Sequence, residues 1–88
     1  MNYLFITGKT KEGIRFRPSD WSERLFGCVK SLDMEEYEAC KGLVHLINLR
    51  GNKGILISTE LEEVNPRLYL FFQGFIDKNN LQVESITK

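Results

Sequence analysis

The dipeptide Asn65-Pro66 constrains the fold of this chain more than any other local feature. Asparagine caps a helix by accepting a backbone N–H, and proline at the first helical position loses nothing, because that N–H has no helical partner. Behind the pair, Leu68, Phe71 or Phe72, Phe75 and Ile76 make a wide apolar stripe at helical spacing. The spacing predicts a helix that ends near Asn79. Asparagine tolerates a left-handed cap, and Leu81 can return as its hydrophobic partner. LQVESI follows as a strand, so the apolar stripe has a sheet to pack on.

The N-terminal half supplies more strands. YLFIT (Tyr3 to Thr7) alternates and is β-rich, and GKTKEG follows it with glycine at both ends and charge between, as a hairpin loop requires. IRFR then alternates, with Ile14 and Phe16 facing one way and Arg15 and Arg17 the other. Pro18 ends that strand, and Ser19 and Asp20 are both good N-caps. Trp21, Leu25, Cys28 or Val29, and Leu32 fall on one face of a helix from about 20 to 32. Gly27 weakens that helix by ~1 kcal/mol relative to alanine. SLDMEEYEACKG fits an acidic loop or a short helix. LVHLINL, RGN and KGILIS read as a second hairpin turning near Gly51-Asn52, and the unbroken apolar ILI (Ile55 to Ile57) suits a central strand buried on both faces. The expected order is ββαββαβ. This is an α+β fold of two layers, an antiparallel or mixed sheet with two helices on one face.

With 88 residues the chain makes a single domain, 1–88. Its formal net charge is zero, a poor starting point for non-specific nucleic-acid binding. The charge is unevenly spread, however. Lys9, Lys11, Arg15, Arg17, Arg24 and Lys30 crowd the first third, whereas Asp33, Glu35, Glu36 and Glu38 follow without a base. The basic end of one copy is thus complementary to the acidic stretch of another. Nothing at the N-terminus reads as a signal peptide, and GLVHLINL is far too short to span a membrane. A cytoplasmic setting is expected, with Cys28 and Cys40 serving as small hydrophobes rather than a disulfide.

Little in the chain has the form of catalytic chemistry. ITGKT lacks the glycine that a phosphate loop places five residues earlier, where this chain has Tyr3. One histidine, His45, and two separated cysteines are not a metal-ligand set. No Gly-x-Ser-x-Gly elbow is present. No cofactor or metal is implied, and an enzyme of unknown class is the least favoured reading.

What remains is FRPSDWSERLFG, Phe16 to Gly27. Capping accounts for much of it. Ser19 or Asp20 satisfies the helix start, Asp20 and Glu23 suit the positive end of the helix dipole, and Asp20 and Arg24 are spaced i, i+4. Arg15 and Arg17, on the outer face of the preceding strand, are not explained by capping. Arginine beside tryptophan is the composition of protein interfaces. Arg15, Arg17, Trp21 and Arg24 are therefore the candidate contacts of a non-enzymatic interaction module, binding a protein partner or itself. The alternative is a nucleic-acid-binding domain using Lys9, Lys11, Arg15 and Arg17. Asn65 and Pro66, with Ser19 and Asp20, are structural caps.

Ile6-Thr7-Gly8, Thr10, Gly13 and FRPSDWSERL, followed by Gly51 and Lys53, Leu61 to Pro66, and Asp77 to Leu81, resemble a bacterial family, the domain of unknown function numbered 3579. The resemblance spans nearly the whole chain. It departs at CKGLVHL, where a Tyr/Pro-rich strand entry is expected, and at Gly54, where a cysteine is expected. It implies a small cytoplasmic bacterial protein and assigns no activity, cofactor or catalytic residue.

Overall fold

The computed structural model describes residues 2–16, 20–49 and 51–87. Its elements are β1 (Asn2–Thr10), α1 (Trp21–Lys30), α2 (Met34–Cys40), β2 (Val44–Leu49), β3 (Asn52–Ser58), α3 (Leu61–Val64), α4 (Pro66–Lys78) and β4 (Leu81–Thr87). The strands form one antiparallel sheet in the order β2-β3-β1-β4. The α+β class and the overall progression of elements match the expectation, with four helices rather than two.

β3 is central, as its unbroken ILI run requires. It pairs with β2 on one side and β1 on the other, and Ile55, Leu56 and Ile57 are all buried. Ile6 and Ile55 are register partners, as are Val44 and Ile57, and these four share a core with Trp21, Leu25 and Val29 of α1 and Leu68, Phe72 and Ile76 of α4. Strand alternation turns Phe5 and Leu56 to the opposite face, where both are nonetheless buried. Gly54 makes this possible for Phe5. A Cβ at that position would collide with the Ile6 carbonyl and stand 2.8 Å from the ring.

α4 begins as the Asn65-Pro66 signal requires. Asn65 Oδ1 accepts from the Leu68 N–H at 3.1 Å, with Pro66 in the first turn. The helix ends at Lys78, and it is Asn80, not Asn79, that takes the left-handed conformation (φ 54°) before Leu81 is buried in the core. The acidic segment resolves as the helix α2, capped by Asp33, whose carboxylate accepts from the Glu36 N–H at 2.9 Å. Asn65 also reaches α2, donating to Glu36 Oε2 at 3.4 Å and Cys40 Sγ at 3.7 Å.

The expected second strand, IRFR, is corrected. A single Lys9–Arg15 bridge survives among the described residues, closed by the bonds from the Thr10 N–H to the Ile14 carbonyl and from the Phe16 N–H to the Gly8 carbonyl (both 2.8 Å), and Ile14 is 65% exposed rather than inward-facing. Both edges of β1 are already occupied. β3 pairs Tyr3 to Ile6, and β4 pairs from Asn2 to Thr10 with an irregularity after Ile6. The returning segment finds a free edge only at Gly8 and Lys9.

The capping account of α1 also changes. Asp20 occupies the N-cap position but makes no capping bond, and its carboxylate instead accepts from Arg24 Nε at 3.0 Å. Glu23 does not close a capping box; it pairs with Lys53 at 2.6 Å. Ser19 lies outside the described residues. Cys28 is half-buried and Cys40 fully buried, and neither is in a disulfide.

Candidate functional site

The residues singled out in the sequence largely converge on one end of the sheet. Trp21 opens α1 with its ring turned inward, leaving 5% of the residue exposed. It is therefore a wall rather than a protruding contact. Phe16 meets it edge-on with centroids 5.8 Å apart, and Phe75 of α4 stacks on it at 6.3 Å. Phe16 and Phe75 close the trio at 5.9 Å, again edge-on. Offset-stacked and edge-to-face geometries of this kind hold aromatic rings in fixed relation.

Two concavities share the Phe16–Trp21 wall. The first, a groove of about 300 Å³ between α1 and α4, is lined by Phe16, Trp21, Arg24, Leu25, Phe71 and Phe75. Its floor is apolar, and Arg24 stands on its rim, exposed and paired with Asp20. Phe71 is 50% exposed and its neighbour Leu70 is 68% exposed, so the outer edge of α4 carries apolar surface past the core. The second, a smaller cavity of about 140 Å³, lies where the first hairpin meets the β2–β3 turn, and Lys9, Arg15 and Lys53 line it.

Of the other expected contacts, Lys11 is displaced from this cluster. Its backbone N–H donates to the Asn80 carbonyl at 2.8 Å, which pins the hairpin tip to the start of β4. Arg17 lies outside the described residues. Phe71 and Phe75 belonged to the apolar stripe in the sequence, but nothing there distinguished Phe71, which faces the groove, from Phe72, which is buried at 1%. Lys53 and Gly8 stood out in the sequence only as part of the family pattern, because the tertiary fold alone brings them to Trp21.

The titratable groups nearby are not arranged for covalent chemistry. Burial pushes the half-buried Cys28 thiol above its ordinary value, which leaves less thiolate at neutral pH and lowers its reactivity. His45 sits on the edge strand β2 with Nε2 at 3.1 Å from the Gly42 carbonyl oxygen. Among the described residues there is no group of three or more His, Cys, Asp or Glu side chains placed to hold a metal ion. No helix among them is long and apolar enough to cross a membrane.

The sequence model of a family described as proteins of unknown function, DUF3579, matches residues 1–86. The chain belongs to this family. A solved solution structure, described as the first structural representative of its family, is similar to it with a TM-score of 0.75. The two are 23% identical, and the match covers 97% of this chain and 79% of the other. That likeness shows the fold. Among curated proteins, none matches the chain.

Proposed function

We propose that the protein is a non-enzymatic interaction module that takes a protein partner, or a second copy of itself, in the aromatic groove between α1 and α4. The observation that carries this reading is the groove itself. An apolar floor of Phe16, Trp21, Leu25 and Phe75 lies open beside the half-exposed Phe71, with Arg24 on the rim. Aromatic and arginine side chains around a desolvated pocket are the composition that dominates binding energy at protein interfaces. A partner segment with an apolar anchor next to an acidic residue fits this chemistry. The nucleic-acid alternative is less well supported, because Lys11 is held apart from Lys9 and Arg15 and the chain has no net charge.

The test uses Phe71→Asp and Arg24→Glu, both at exposed positions. Each variant should keep its circular dichroism spectrum and unfold within a few degrees of the parent. Each should lose a partner captured by the parent from native lysate, or the parent's own self-association in analytical ultracentrifugation, by about tenfold or more. Retention of the same partner and the same sedimentation by both variants defeats the reading. Salt-sensitive retention of RNA or DNA would replace it with the nucleic-acid alternative.

A further inference from the structure

The smaller cavity shares the Phe16–Trp21 wall with the groove but has a different chemistry. Gly8, Lys9, Arg15, Trp21, Gly51 and Lys53 contribute to its walls, and no carboxylate does. Neither Lys9 nor Arg15 has an ion-pair partner among the described residues. Lys53 is tied to Glu23, which leaves the cavity with uncompensated positive charge from two side chains that the Lys9–Arg15 bridge holds side by side.

The indole supplies the second observation. Trp21 is more than nine-tenths buried as a residue, but its Nε1–H is accessible and has no acceptor among the described residues, where Ser22 Oγ is the one buried side-chain polar atom without a partner. An accessible indole N–H without a protein acceptor is free to donate to water or to a ligand. This one lies against Gly8, where an added Cβ would stand 3.3 Å from Nε1, so the glycine leaves the donor uncovered on the cavity side. One neutral donor and two unpaired cations thus face a space of about 140 Å³, room for a few water-sized groups. Charge-assisted hydrogen bonds to an oxyanion are the interactions such a set makes best, and arginine matches carboxylate and phosphate geometry with its paired N–H groups.

We propose that this cavity is a binding site for a small oxyanion, a carboxylate or phosphate group, held by Lys9, Arg15 and the Trp21 indole N–H. The site does not depend on the partner reading: the two share the Phe16–Trp21 wall, but neither Lys9 nor Arg15 lines the groove, and neither Arg24 nor Phe71 lines the cavity.

The experiment is a two-dimensional ¹⁵N–¹H NMR titration of the full chain with inorganic phosphate and, separately, with acetate, at constant ionic strength maintained by chloride. The Trp21 indole resonance and the amides of Gly8 and Gly51 should shift saturably with at least one of the two probes, and the stronger probe identifies which oxyanion the site takes. Arg15→Gln combined with Lys9→Gln changes only exposed side chains and should weaken that binding about tenfold or more. Trp21→Phe, if it folds, should weaken it severalfold. Phe71→Asp should leave it unchanged, which separates this site from the groove. Shifts that do not saturate, or saturable shifts that persist at full affinity in the Lys9/Arg15 double variant, overturn the proposal.

Discussion

Gly54 shows how one position without a side chain sets the packing of a whole sheet face. The Phe5 ring and the Ile6 carbonyl of the neighbouring strand both stand where a Cβ would go. Gly54→Ala must move either β1 backbone or a ring buried to 1%. Overpacking a rigid core typically costs 1–3 kcal/mol, and here one obstacle is backbone, which yields less than a side chain. The expected loss is therefore about 3 kcal/mol, read as a shifted urea midpoint at unchanged slope. A loss under about 1 kcal/mol would mean that the Phe5 ring can leave its place freely. The sequence marks this glycine only as part of a hairpin and as a departure from the family pattern. Its steric role arises across strands and has no local signature.

The two long helices invite a direct comparison of caps at the scale of elements. The Asn65 side chain bonds the Leu68 N–H and also reaches α2, whereas the Asp20 side chain makes no capping bond among the described residues and pairs with an exposed arginine. Asn65→Ala should cost about 1–2 kcal/mol, the range of a lost N-cap. Asp20→Ala should cost at most about 0.5 kcal/mol, as exposed pairs contribute little. Thermal or chemical denaturation of the two variants side by side checks the order, and an equal cost would restore the capping account for Asp20.

The same elements show what was legible in advance. α4 was, because Asn65-Pro66 acts locally, and so was β3, because an apolar run without alternation needs cover on both faces. Asp33 and Glu36 form a capping pair that could have settled α2, but the acidic segment lacks a strong apolar stripe and stays ambiguous by periodicity alone. The Ile14 strand was misjudged because alternation reports a residue's preference and not whether a neighbouring edge is vacant. For the candidate site, Arg15, Trp21 and Arg24 were recognisable by type. Their division between two concavities was not, since Lys53, Gly8 and Phe75 come from elements distant in sequence.

For the molecule as a whole, the decisive pairings are remote along the chain. Tyr3 pairs with Ser58 and also with Ile86. Among the described residues, β2–β3 is the one local pairing of strands, beside the isolated Lys9–Arg15 bridge. Closing such long loops before any strand bonds form slows folding, and domains dominated by remote pairing fold in roughly milliseconds to seconds. Stopped-flow refolding followed by Trp21 fluorescence should fall in that range, because the indole goes from water to a buried aromatic stack. Complete folding within microseconds would contradict this topology.

The place of β1 between β3 and β4 has a consequence for how the protein is made. A ribosome delivers β1 first and both of its sheet partners much later. β1, apolar at Leu4, Phe5 and Ile6, must wait unpaired until β3, and on its other edge until β4, has been made. The newborn chain is therefore most vulnerable to wrong pairing with its neighbours on the same messenger. That interval ends only when Leu81 to Thr87 have cleared the exit tunnel and can close the second edge of β1.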